Sequence, residues 1–358
     1  MRHVTQRQPE SARQWRRRSG WRAVLITAVA AAVVVAVTIV VLISLPGSRA
    51  APAASRTGQE TPPAGPPASS LAPARGVLLG ASVQVGVPGP RAERTAVAAF
   101  ERTIGRKLAI NNLYVPWNQP MPAATARWDL ARGTIPMISW AGTRTDQVVT
   151  GADDAWIRAE ARQFKVLRAP VFLRWFAEMN LKGNQAKAVS PTAFVAAWRR
   201  IHQIFRRVGA ANVRWVWCPN SSGFAQGTTQ AYYPGNAYVD WICADGYNWA
   251  PDLPGVSWKS FQEIFAPFYR WGRATGKPMV IGEFGTVEGA PGAKAAWFAQ
   301  AARAIRTQFT QIRAVVYFES KHQNFGRYFD WRVTSSRSAL SAFQAFAHDP
   351  YFSARPRT

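Results

Sequence analysis

Two glutamates stand where apolar runs end. The first run, residues 170–176, carries Arg174 and leads through Ala177 into Glu178, with Met179 and Asn180 behind it. The second, residues 278–282, stops at Glu283, just before Phe284 and Gly285. Runs of this composition form the interior strands of sheets, where an unpaired charge is costly. Two readings follow. Each acid pairs with an arginine at a strand end, or the two converge as carboxylates that give and take protons and attack an electrophilic carbon.

The elements that must position them come from hydrophobic patterning. Strand-like runs are expected at 77–83, 108–114, 135–140, 170–176, 213–217, 239–244, 278–283 and 314–318. Amphipathic helical patterns lie between them at 91–104, 153–167, 191–208, 258–275 and 293–309. The best marked opens with Ser190 as N-cap and Pro191 at its first position. It places Phe194, Trp198, Ile201 and Phe205 on one face. Eight strands alternating with helices predict an α/β fold, the (β/α)8 TIM barrel. An open doubly wound sheet is the competitor, but no glycine-rich phosphate loop follows the first strand.

In such a barrel the chemistry gathers where strands end at the C-terminal face. Those ends carry Trp117, Trp140, Glu178, Asn180, Asn220, Asp245, Tyr247, Trp249, Glu283, Phe318 and Glu319. None of the four histidines falls there, which leaves a serine triad or a zinc hydrolase without its ligands. Acids, amides and aromatics are the equipment of a carbohydrate site, and 16 tryptophans agree with stacked sugars. Trp140, Trp249 and Phe318 are candidate sugar platforms; the alternative is ordinary core or rim aromatics. Arg174 lies beneath the site, where it would favour an anionic Glu283 or serve a structural ion pair. Strands 4 and 7 oppose each other across an eight-strand ring, so their terminal carboxylates can converge, at a separation that spacing does not fix.

The motifs are more specific than the pattern. Residues 173–180 (Leu-Arg-Trp-Phe-Ala-Glu-Met-Asn) resemble the strand-4 motif of glycoside hydrolase family 26, the family of β-mannanases and related endoglycanases. Ile138-Ser139-Trp140-Ala141-Gly142 is similar to its third-strand segment, and residues 215–220 to its fifth. Residues 238–249 are similar to its sixth, 277–285 to its seventh, and Asp330-Trp331-Arg332 to the stretch after the eighth. The resemblance runs in order over roughly residues 76–350.

It implies a retaining glycosidase, with Glu178 as acid/base, Glu283 as nucleophile and Tyr247 hydrogen-bonded to the nucleophile. The candidate substrate contacts are Arg174, Asn180, Tyr247, Trp140, Trp249 and Phe318. A polysaccharide is the implied partner, with no metal or organic cofactor. The family usually has a histidine before the acid/base, where this chain has Ala177, and Leu181 stands where a glycine often follows Asn180. That departure bears on mannan as substrate more than on catalysis. The implied substrates are therefore β-mannan, a β-1,3- or β-1,4-glucan, or xylan. A barrel that binds glycan without cleaving it is the alternative from another class.

The remaining organisation concerns location. Residues 1–22 are an arginine-rich head of charge +6, and residues 23–45 carry no charge. As a helix, 23 residues span roughly 34 Å, enough for a hydrocarbon core of about 30 Å. Arginines on its N-terminal side keep that end in the cytoplasm and send the remainder outward. An uncleaved single-pass transmembrane anchor is the expectation, with a cleaved signal peptide and secretion as its competitor because Ser48-Arg49-Ala50 loosely resembles a cleavage site. Seven prolines among many Ala, Ser and Gly make residues 46–75 a spacer. The folded domain is expected over 76–358.

Cys218 and Cys243 fall on strands expected to be neighbours, where a disulfide outside the cytosol and two buried thiols both fit. The net charge of +25 could draw nucleic acid or an anionic envelope surface. Its cations are scattered and no nucleic-acid-binding motif stands out, so nucleic acid is not an expected partner. A monomer is expected.

Overall fold

Each of the eight apolar runs becomes a strand, and a computed structural model describes the chain over residues 71–87 and 89–356. In order the strands are β1 (Leu78–Val83), β2 (Ile110–Val115), β3 (Ile135–Trp140), β4 (Val171–Trp175), β5 (Val213–Trp217), β6 (Trp241–Asn248), β7 (Met279–Thr286) and β8 (Ile312–Glu319). All pair in parallel, and β8 returns to β1 to close the barrel. The expected span at 23–45 and most of the spacer lie outside the described residues. Among the described residues no helix is long and apolar enough to cross a membrane.

The strands read as near-continuous apolar runs because both faces are covered. Inside the barrel, Leu78, Ile110, Met137, Phe172, Val216, Cys243 and Val280 fill the lower part. Leu71, in the stretch read as spacer, joins this cluster at 2% exposure. Outside, the strands meet an aromatic layer beneath the helices. The helix Pro191–Val208 is typical: the Ser190 hydroxyl accepts from the Ala193 N–H, and Gly209 closes the helix in the left-handed region. It buries Phe194, Ala197, Trp198, Ile201, Ile204 and Phe205 at spacings of three and four.

Several boundaries differ from the sequence expectation. Strands β6 and β7 run on to Asn248 and Thr286, so Asp245 and Glu283 lie within strands rather than at their ends. Additional helices appear at Ala123–Ala131 and Arg337–His348, and a hairpin (Lys321–Asn324, Arg327–Asp330) follows β8. The link between β5 and β6 holds only short turns of helix (Ser222–Ala225, Gln230–Tyr232, Asn236–Tyr238). The two cysteines form a disulfide across β5 and β6 inside the barrel.

One irregularity decides the site. Along β6 and β7 the pairs are Cys243 with Val280, Ala244 with Ile281, then Asp245 with Glu283. Gly282 is the extra residue of a bulge. Strict alternation from the inward-facing Val280 would turn Gly282 inward and Glu283 outward. The bulge re-aims Glu283 into the barrel mouth beside Asp245. Only glycine fits there, because a Cβ on Gly282 would lie 2.4 Å from the Cys243 sulfur and 2.7 Å from Asp245 Oδ1.

Candidate active site

Arg174 is the centre of the mouth. Its inward position on β4 leaves it with 0% exposure, and such a charge must be matched by acceptors. Nη1 donates to Asp245 Oδ1 at 2.9 Å and Oδ2 at 3.0 Å, Nη2 donates to Glu283 Oε1, and Nε donates to Ser139 Oγ at 2.7 Å. Ser139 in turn donates to Asn112 Oδ1. Burial opposes the charge on Arg174, but Asp245 and then Glu283 outweigh it and raise its pKa, so the guanidinium stays charged. The sequence offered Arg174 both as a substrate contact and as the partner that favours an anionic Glu283. The structure commits its donors to two carboxylates and a hydroxyl, which makes it the residue that holds Glu283.

Glu283 has its second oxygen engaged as well, because Oε2 accepts from the Tyr247 hydroxyl. Burial and the Glu283 charge push the Tyr247 phenol well up, so it remains a neutral donor. Tyr114, at the end of β2 and 50% exposed, also interacts with Glu283, and its ring lies over Arg174 at 5.7 Å. Glu283 keeps 8% exposure toward the cleft.

Glu178 reaches the same cleft by a different route. Beyond the last strand residue, Trp175, the chain turns through two residues in the left-handed region, Phe176 at φ 50° and Glu178 at φ 56°. Non-glycine residues avoid that region, and such strain concentrates at functional sites. Backbone bonds fix the turn: Phe176 N donates to Trp140 O at 2.9 Å, and Glu178 N donates to Cys218 O at 2.8 Å. The side chain then accepts from Asn220 Nδ2 at 2.8 Å.

Asn220 is itself held, since its N–H donates to Asn180 Oδ1 at 2.8 Å and its Oδ1 accepts from Ser222. With the oxygen so used, the amide nitrogen is the atom left to face Glu178. Burial, and then the negative charge of Glu283, push the Glu178 carboxyl up to about 7, against the opposing pull of Asn220 and Arg174. Two carboxylates thus face one cleft, one gripped by donors and one held back from ionising.

The cleft measures about 530 Å³ and is lined by both glutamates, Tyr114, Phe176, Ala177, Lys187 and Phe318 among others. Phe318 is half-buried at its wall, edge-on to Tyr247 with ring centres 5.5 Å apart. The other two expected platforms are more enclosed. Trp140 is 2% exposed and stacked on Trp117 at 4.3 Å, with its indole N–H given to the Trp117 carbonyl, so it is part of the wall and not an open sugar surface. Trp249 packs edge-on against Trp331 at 4.8 Å and Phe329 at 5.0 Å, away from the cleft lining. Asn180 serves Asn220 and Thr229 rather than the cleft. Tyr114 was missed, although its parity with Asn112 on β2 already placed it on the inward face.

Comparison with known proteins agrees with the barrel fold. The sequence model of glycosyl hydrolase family 26 matches residues 139–300. "Endoglucanase H" of Acetivibrio thermocellus is 33% identical over 283 residues, which is 75% of this chain and 30% of that protein. The chain therefore spans about a third of that relative's length. Among solved structures, a GH26 β-mannanase from Bacteroides ovatus superposes with TM-score 0.58 at 14% identity, covering 78% of this chain and 90% of that one. A β-mannanase from a symbiotic protist of the termite Reticulitermes speratus gives TM-score 0.55 at 14% identity, covering 77% and 88%. The matched segment carries Arg174, Glu178, Asp245 and Glu283, and over residues 139–300 the chain matches glycosyl hydrolase family 26.

Proposed function

We propose that this chain is an exported, membrane-anchored endo-β-glycanase of the retaining type, acting on a β-glucan. The observation that carries the reading is the contrast between its two carboxyl groups. Glu283 is gripped by Arg174 and Tyr247, while Glu178 in the same cleft is pushed up to about 7. A carboxyl held protonated beside one gripped by donors separates a proton donor from a nucleophile. In the first step Glu283 attacks the anomeric carbon as Glu178 passes its proton to the departing glycosidic oxygen. In the second, Glu178 takes a proton from water as that water's oxygen displaces Glu283 from the sugar.

The same electrostatics serve both steps. Once Glu283 is esterified its negative charge is gone, and the charge that opposed ionisation of Glu178 goes with it. Glu178 then becomes the stronger acid and remains as a carboxylate, the form a general base requires.

The choice of β-glucan over β-mannan has two supports. The relative at 33% identity is named an endoglucanase, whereas the mannanases share the fold at 14% identity. Ala177, on the cleft wall beside Glu178, leaves a methyl group where the resemblance leads one to expect imidazole. Export is supported by the uncharged span at 23–45 behind an arginine-rich head and by the Cys218–Cys243 disulfide, which suits an oxidising compartment.

The test is reducing-end release from β-glucans, β-mannans and xylans by the wild type and by Glu283→Ala. Cleavage of a β-glucan that Glu283→Ala abolishes is the expected result. Cleavage of mannan alone would overturn the substrate, and binding without cleavage across the panel would overturn the reaction in favour of a glycan-binding barrel.

A further inference from the structure

The end of the barrel opposite the mouth has a distinct chemistry. Two clefts of about 750 and 680 Å³ open there and meet at Ala354, in segments that lead into strands and in the C-terminal tail. Seven cations surround them, and four are committed to the fold. Arg106 donates to Phe352 O at 3.1 Å and Ser353 Oγ at 2.9 Å, Arg313 donates to Ile312 O at 3.2 Å, Arg132 pairs with Glu101, and Arg306 pairs with Asp349. Basic residues near helix C-termini are ordinary, since they complement the helix dipole. Arg75, Lys107 and Arg355 remain exposed and have no acidic partner among the described residues. Asp349 is half-buried and already paired, so it does not offset them.

Glu178, Asp245, Glu283 and Glu319 lie at the opposite end, toward the C-terminal ends of the strands, with the exposed Lys182, Lys187 and Lys321. The described chain also begins on the cationic face, where Val77 N donates to Tyr351 O at 2.8 Å and Leu78 bridges to Ser353. The spacer and the uncharged span attach to the domain at that end. The 25 residues 46–70 can reach roughly 75 Å when extended, so the tether alone imposes no orientation.

We propose that this cationic face docks on the anionic lipid headgroups of the membrane that holds the span, so that the cleft points away toward its polysaccharide. The unpaired cations supply the attraction. The proposal rests on the anchored reading, and the experiment separates the two. The full chain is reconstituted in phosphatidylcholine vesicles and in vesicles of phosphatidylcholine with phosphatidylglycerol. Acylation of individual lysines is then followed by mass spectrometry.

Lys107 is expected to react several-fold more slowly on the anionic vesicles, while Lys187 at the cleft reacts equally on both. About 1 M salt, which shortens the screening length to about 3 Å, is expected to erase the difference. The exposed-site variants Arg75→Gln and Arg355→Gln are expected to weaken the protection by about fivefold for each charge removed. Equal labelling of Lys107 on both vesicles would overturn the proposal. So would protection of Lys187 instead, or protection of Lys107 by soluble polyphosphate but not by vesicles. Flotation with neutral vesicles after a high-salt wash reads the anchor separately. A chain that fails to float there yet keeps Lys107 protected on anionic vesicles loses the anchor and keeps the docking face.

Discussion

Asn220→Ala tests the electrostatic division of labour most directly. Asn220 donates to Glu178 Oε1 at 2.8 Å, and this bond favours the ionised form, opposing the upward push from burial and from Glu283. Removing it leaves the upward push less opposed, so the pKa of Glu178 rises above its present value of about 7. A hydrogen bond to a charged group contributes about 1.5–3 kcal/mol in a buried setting, and water entering the cleft returns part of that. A net loss of ~1 kcal/mol moves the titration by roughly 0.7 of a pH unit.

The proton donor must be protonated for the first step, so kcat/KM falls as pH rises through the Glu178 pKa. The alkaline limb is therefore near pH 7 in the wild type and higher in the variant. The assay is the pH profile of kcat/KM on a soluble β-glucan oligosaccharide. Circular dichroism would check that Asn220→Ala stays folded. An alkaline limb that stays in place, or moves to lower pH, would refute both the assignment of Glu178 and the account of why its pKa is high.

Glu178→Gln should slow cleavage of polysaccharide by about 10²–10⁴ while sparing the first step on aryl glycosides whose leaving groups need no proton; equal losses on both would remove the acid role. Tyr247→Phe deletes a donor to Glu283 Oε2 and should lower kcat/KM by an amount worth about 1–3 kcal/mol, with thermal stability measured alongside to exclude a folding effect. Arg174→Met leaves Asp245 and Glu283 buried without their cation. It should cost about 3–5 kcal/mol in urea unfolding, and a loss below ~1 kcal/mol would contradict the pairing described.

Much of this protein was legible in its sequence. Period-two strands covered on both faces produce long apolar runs, and helices with i, i+3, i+4 faces fall between them, so the eightfold alternation and the barrel followed from patterning alone. An acid at the end of an apolar run is conspicuous because burial is costly, which is why Glu178 and Glu283 stood out. Tyr247 came with the motif around it. The tertiary structure decided what parity and pairing could not reveal. The bulge at Gly282 turns Glu283 inward, contrary to simple alternation, because the disulfide and Asp245 occupy the space that a side chain would need.

Arg174 was expected beneath the site with Glu283 as its partner, but Asp245, 71 positions away, shares its donors with Glu283, 109 positions away. Trp140 looked like a platform until Trp117 covered one of its faces. Asn220 and Tyr114 gained their importance only from the atoms they meet, Glu178 and Glu283. A sequence fixes which residues are apolar, charged or able to titrate. Which of them share a hydrogen bond, and so which carboxyl keeps its proton, depends on long-range contacts that exist only once the barrel has closed.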